Sequence, residues 1–292
     1  MSEFFWDNQI EYLERTRGLY YNDDYLEFLI QKVWRINEPV KIIDYGCGYG
    51  YLGLKLLPML PSGSSYTGVD KGEALIHKAK AVFSSLPYPT EFIWGDVEEL
   101  PIVNEYDIAM CHAFLLHLNK PENIIQKMIQ SVKHQGRIIC FEPHWIANMA
   151  NYRFEGLAQS QIIPLGILQK LFEKDCDQRG KDGNIGILVP ALLSQLGLKN
   201  IECRVSDKVN FLDSNVDTAA KNELYNALRA EGIGQLPGEM TETLSQLMQR
   251  GLTADEAKSQ YEAERLLSEE FNMQSMLTYA PNMKISFGTV VK

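Results

Sequence analysis

Lys41-Ile-Ile-Asp-Tyr-Gly-Cys-Gly-Tyr-Gly-Tyr-Leu-Gly53 reads as a strand, a glycine turn and the start of a helix. Val40, Ile42 and Ile43 form a short apolar run, the pattern of a strand buried on both faces. Asp44 ends that run with a charge, and glycines follow at 46, 48 and 50. Tyr51 to Leu57 then has helical spacing and stops near Pro58. This is the opening unit expected of a nucleotide-binding α/β sheet. The glycines let backbone approach a ligand where a Cβ would collide. The free N–H groups at the helix start suit an anionic group.

Two ligand families use such a turn. Gly48, Gly50 and Gly53 fit Gly-x-Gly-x-x-Gly, the dinucleotide fingerprint of NAD-dependent oxidoreductases. Asp44, Gly46, Gly48 and Gly50 fit Asp-x-Gly-x-Gly-x-Gly, the pattern of enzymes that use S-adenosylmethionine (SAM). Asp44 favours the second, because a carboxylate repels a pyrophosphate and attracts an ammonium and a sulfonium. A purely structural glycine turn is the third reading.

Downstream, Ser65–Asp70 is a second strand ending in a carboxylate, twenty residues past Gly50. That is near the interval at which nucleotide folds place a ribose-binding acid. A third strand, Glu91–Asp96, ends in another Asp, and Tyr106–Cys111 is the fourth. An Asp after a strand is commonly a turn residue or a helix cap. Three in register are different, since the C-terminal ends of parallel strands line one crevice. His112 to His117 follow the fourth strand, and Asn119 with Glu122 predicts a capped helix. Gln135-Gly136 turns into a fifth strand, Arg137–Glu142, then Pro143-His-Trp145. Alternating helix and strand predict a doubly wound sheet.

The alternation then loosens. Residues 146–184 read as two helices broken near Pro164, with no strand between them. After a helix at Val189–Leu196, Asn200–Val205 is a sixth strand and Lys284–Val291 a seventh. A second helical insertion occupies 213–280, as helices Val216–Glu231, Gly238–Arg250 and Ala254–Met276, with a Thr253–Glu256 capping box. The expected organisation is an N-terminal helical segment at 1–37 and one domain at 38–292 carrying both insertions. Asn22 or Asp23 would cap the helix Tyr25–Trp34. Arg15, Arg17, Tyr20 and Tyr21 precede it, either as a surface segment with aromatic anchors or as a flap over a bound cofactor.

Composition narrows the function. The 292 residues carry a net charge of −10, which lacks the basic footprint of nucleic-acid binding. The acidic N-terminus does not read as a signal peptide, and Ile185–Leu198 is too short to span a bilayer. Five cysteines without a Cys-x-x-Cys pair suggest reduced thiols and a cytoplasmic protein. No metal-ligand spacing and no internal repeat stand out.

Together, Asp44-x-Gly-x-Gly-x-Gly50, Asp70, Gly95-Asp96, Tyr106-Asp107 and Gln135-Gly136 resemble the class I SAM-dependent methyltransferases, a group that includes small-molecule and ubiquinone-biosynthesis-like enzymes. The resemblance is strongest over 38–145 and looser over 186–206 and 282–292. It implies a Rossmann-like seven-stranded, mostly parallel α/β sheet whose last strand is antiparallel between the fifth and sixth. It also implies methyl transfer from SAM to a small-molecule acceptor, and the composition adds the expectation of no nucleic-acid and no membrane partner. Carried over, Asp44, Gly46 and Gly48, with Tyr45 and Cys47 between them, hold the methionine part. Asp70 binds the ribose, with Lys71 beside it where the family often has an apolar residue. Asp96 and Val97 take the adenine, and Cys111 and His112 lie beneath the sulfonium. The insertion before the last strand is far longer than the family's usual hairpin, so standard members say nothing about the acceptor. It would be a lid over the acceptor or a dimerisation arm.

A general base is needed only for an acceptor that arrives protonated. The candidates are His112, His117, Glu142 and His144, near the open end of the sheet. His117 has the competing role of satisfying backbone groups before a helix. An NAD-dependent oxidoreductase, or an inactive SAM-fold partner of another subunit, are the alternative functions.

Overall fold

The structure is a computed structural model that describes residues 4–216 and 218–292, with only the backbone of Arg179. The first three residues of the 1–37 segment, and Asp217 of the second insertion, lie outside the described residues.

Ile42 and Ile43 enter two different cores, one on each face of the sheet. Ten strands are present among the described residues. The first five are β1 (Lys41–Tyr45), β2 (Ser65–Asp70), β3 (Thr90–Trp94), β4 (Tyr106–His112) and β5 (Val132–Pro143). The others are β6 (Tyr152–Phe154), β7 (Lys199–Val205), β8 (Asn210–Leu212), β9 (Leu277–Tyr279) and β10 (Met283–Thr289). Seven of them form one sheet in the order β3-β2-β1-β4-β5-β10-β7. β1 to β5 pair in parallel, and β10 runs antiparallel between β5 and β7. The sequence expectation for the last strand is met.

Helices cover both faces. The N-terminal helices with Tyr51–Leu56 and Glu73–Phe83 bury Leu26, Leu52 and Ala79 on the face of Ile42. Pro121–Ser131 and Val189–Gln195 bury Ile125, Met128 and Leu193 on the face of Ile43. Each helix spends its apolar stripe on the sheet, which is what a doubly wound fold requires.

The insertions depart from expectation. They form one cap, because β6 from the first and β9 from the second pair in a small sheet with order β6-β9-β8. Phe154, Ile162, Leu212, Leu228, Phe271 and Leu277 share its core. The stretch 146–184, expected to be two helices with no strand, therefore contains β6 ahead of helices Gln159–Ile162 and Leu165–Arg179. Three-residue strands are too short to display alternation. The helices of the second insertion are Ala219–Glu231, Met240–Gln249 and Ala254–Glu270, and the Thr253–Glu256 capping box forms. Asn119 and Asn22 do not cap; Asn22 donates to Asp207 instead.

Candidate active site

The glycine turn works as a cradle because all three glycines have positive φ: +71° at Gly46, +57° at Gly48 and +85° at Gly50. At Gly46 a Cβ would lie 2.3 Å from the Phe114 ring. At Gly48 it would meet nothing closer than Leu13 at 4.0 Å, so it would project into open space beside the turn. The backbone of Gly48 is therefore open to the crevice, while the N–H groups of Gly46 and Cys47 donate to Val69 O and that of Gly50 to Cys47 O.

Asp70, at the end of β2, closes that crevice. Its Oδ2 accepts the Gly48 N–H at 2.8 Å and its Oδ1 accepts the Gly72 N–H at 2.8 Å. Burial raises the carboxyl's pKa, while those N–H groups pull it back. Each oxygen keeps a lone pair for a further donor. Asp96 accepts from Lys71 Nζ at 2.7 Å and from the Glu98 N–H at 2.9 Å. Those bonds hold its pKa below the usual carboxylate range. Asp70, Lys71, Asp96, Val97, Gly46 and Gly48 line one cavity of about 450 Å³.

A smaller recess continues from it, sharing Leu13, Arg17, Gly46, Gly48 and His112 and adding Asp44 and Cys47. Asp44 is buried; the Tyr66 hydroxyl donates to its Oδ2 at 2.6 Å, and its Oδ1 has no partner. Burial pushes this carboxyl up to about 7. A buried carboxyl with one unpartnered oxygen is chemically suited to pair with a cationic group.

His112 and His117 both line the larger cavity. His112 Nε2 sits 3.2 Å from the Tyr21 hydroxyl, and burial holds its pKa well below the ordinary value. The imidazole is therefore neutral at pH 7. His117 packs against Trp6 at 5.1 Å, and burial pushes its pKa down to about 4.

The other candidates are placed elsewhere. Cys111 and Tyr45 point to the opposite face of the sheet, in the core with Val69 and Ile138. Glu142 is fully buried, and its Oε1 accepts the N–H groups of Phe114 at 3.0 Å and Leu115 at 2.9 Å. That oxygen satisfies the start of the Leu115–His117 turn, the buried Oε2 has no partner, and Glu142 lines neither cavity. His144 lines neither cavity; its backbone N–H bonds Asn282 and its pKa is lowered by burial.

The sequence reading missed the contribution of residues 4–7. Phe4, Phe5 and Trp6 wall the larger cavity, and Asp7 Oδ1 accepts the Ala74 N–H at 3.0 Å at the start of the helix after β2. The only signal was an aromatic run without helical spacing. Ala113, immediately after β4, is held at φ +48° on the cavity wall. Strain of this kind clusters at functional sites. Arg17, from the N-terminal segment, lines both parts of the crevice.

Residues 36–181, half of the chain, match the family described as a methyltransferase domain. The chain belongs to that family. The glycine turn, Asp70, Asp96 and His112 lie within the matched part, whereas Phe4, Phe5, Trp6, Leu13 and Arg17 of the crevice wall precede it. Membership also sets aside the dinucleotide reading, whose sheet has no antiparallel strand between the fifth and sixth. The chain is 30% identical over 103 residues to malonyl-[acyl-carrier protein] O-methyltransferase of Priestia megaterium, covering 35% of this chain and 36% of that protein. It is 31% identical over 102 residues to the mitochondrial ubiquinone biosynthesis O-methyltransferase of Schizosaccharomyces pombe, covering 34% and 36%. The chain thus spans about a third of the length of these relatives. Among solved structures, YcgJ protein from Bacillus subtilis shares the fold, with a TM-score of 0.52 and 14% identity over 92% of this chain and 99% of that one. No helix among the described residues is long and apolar enough to cross a membrane, and no cluster of three metal-binding side chains is present among them.

Proposed function

We propose that this methyltransferase domain binds SAM in the crevice and transfers its methyl group to a small-molecule acceptor. The observation that carries the reading is the bare, buried Asp44 Oδ1 on the recess that opens into the cavity of Asp70. The donor set suits the cofactor from end to end. Asp44 would take the methionine ammonium, and Arg17 the methionine carboxylate. Asp70 would accept from the ribose hydroxyls through its remaining lone pairs, while Gly48 leaves room for the chain of the ligand. Asp96, already tied to Lys71, would accept from the adenine amino group beside Val97. When bound, SAM supplies a methyl group already activated on a sulfonium.

The protein's own work is then alignment and exclusion of water. Trp6 and His117 close one wall, and Tyr20, Tyr21 and Tyr51 surround His112 at the inner end. Neutral His112 is the candidate to accept at Nε2 the proton of an acceptor that arrives with one, and the Tyr21 hydroxyl oxygen, 3.2 Å away, would then accept from the new Nε2–H. The acceptor is a small molecule in this reading because the net charge of −10 lacks the basic footprint that a nucleic-acid acceptor calls for.

The test uses SAM with an isotope-labelled methyl group and a small-molecule extract of the source cells. Label recovered in the small-molecule fraction, dependent on the protein, is the expected result. Label found only in protein or nucleic acid would replace the small-molecule reading.

A further inference from the structure

Both insertions contribute to another cavity, of about 330 Å³, which shares no lining residue with the crevice. Its wall is largely apolar and aromatic, with Trp145, Tyr152 and Tyr279 among the rings. Three of its side chains each carry a buried polar atom without a partner: Glu231 Oε2, Gln260 Oε1 and Asn148 Nδ2. Both amide orientations follow from the opposite ends. Gln260 Nε2 donates to Glu264 Oε1 at 2.7 Å, and Asn148 Oδ1 accepts the Asn282 N–H. Glu231 Oε1 is occupied, because the Tyr20 hydroxyl donates to it and the Tyr279 hydroxyl lies at 3.4 Å. Buried polar atoms are nearly always paired, so three unpaired ones on side chains that line one cavity point to a ligand toward which those side chains turn.

Charge selects the class of that ligand. Glu231 and Glu264 line the cavity, and no Lys, Arg or His does. Arg17, whose charge acts on Glu231 through space, belongs to the lining of the crevice. A carboxylate or phosphate would therefore meet like charge and no counter-ion. Two of the three unpartnered atoms are acceptors, which call for a donor.

We propose that this cavity binds an apolar small molecule that carries an amine. The ammonium sits at Glu231 and Gln260 Oε1, and the apolar body lies against the aromatic wall. Aromatic faces add to the attraction for a cation. Burial pushes the Glu231 carboxyl up to about 7, as expected of an acid short of a counter-charge. The inference goes beyond methyl transfer, since binding here requires neither SAM nor turnover.

Calorimetric titration with 4-phenylbutylamine, 4-phenylbutanol and 5-phenylpentanoate tests it, with and without saturating SAM. The amine should bind at least tenfold more tightly than the alcohol, in both conditions, and the carboxylate should not bind. Glu231→Gln should remove the amine's advantage while leaving SAM affinity unchanged. Leu236 lines the cavity and is 79% exposed, so Leu236→Trp can obstruct it without disturbing a core. That variant should lose the amine and keep SAM, and it serves if Glu231→Gln fails to fold. No amine binding at millimolar concentration, equal affinity for the carboxylate, or an amine preference that survives both variants would overturn the proposal. Failure to bind SAM would count against the methyl-transfer reading alone.

Discussion

Asp70 Oδ2 accepts the Gly48 N–H at 2.8 Å, tying the end of the second strand to the glycine turn after the first. The bond joins the two halves of the crevice. The predicted ribose acid thus positions the turn as well as facing the cavity. Asp70→Asn should weaken SAM by ~2–4 kcal/mol, about 30- to 1,000-fold, through loss of charge-assisted bonds. The check is SAM titration of a variant whose circular dichroism matches the parent; unchanged affinity would remove Asp70 from the site.

Asp44 and its bare oxygen predict a proton effect. A cation placed beside a carboxyl with a pKa near 7 favours the ionised form, so SAM binding should release a proton near neutral pH. Affinity should then rise with pH between about 5 and 7 and level off above. Titrations at pH 6.5 in two buffers of different ionisation enthalpy measure the release. Asp44→Asn should abolish it and weaken SAM while sparing adenosine; equal losses for both ligands would mean that Asp44 only supports the turn.

Gly48 separates cradle from fold. Its φ of +57° makes Gly48→Ala cost about 1–2 kcal/mol of stability, since no neighbour is struck. The added methyl group enters the crevice, so SAM affinity should fall at least tenfold. Thermal melting and titration together decide the matter, and a variant that binds SAM as the parent does would show that the backbone does not approach the ligand there.

Glu142 gives the molecule a stability that depends on pH. Burial raises its pKa from 4.5 to about 7, so the folded state holds a proton that the unfolded chain has released. Its contribution is complete below about pH 4.5 and is lost as pH rises through about 7, with a slope of up to ~1.4 kcal/mol per unit in that window. Urea unfolding at pH 5.5 and 8 should show a smaller difference for Glu142→Gln than for the parent. An identical pH dependence in both would dismiss Glu142 as the source.

Much of this was legible in residues 40–145. Local signals repeat there: apolar runs such as Ile42-Ile43, an Asp at the end of each early strand, and glycines where φ turns positive. The antiparallel last strand came from resemblance rather than from spacing. What stayed hidden depended on single-residue register or on distance along the chain. Cys111 and His112 are neighbours, yet strand alternation sends one into the core and the other to the crevice. Glu142 ends a strand much as Asp70 does, but it turns to the backbone of Phe114 and Leu115. Trp6 meets His117 across more than a hundred residues, and no local pattern encodes that contact. The cap's strands were too short to register.

Calorimetric titration of the full chain with SAM and, separately, with NAD tests the central claim most directly. The account predicts one SAM per chain with micromolar or tighter affinity, lost in Asp70→Asn, and no measurable heat from NAD. A folded protein that binds NAD and ignores SAM, or binds SAM equally well without Asp70, would contradict it.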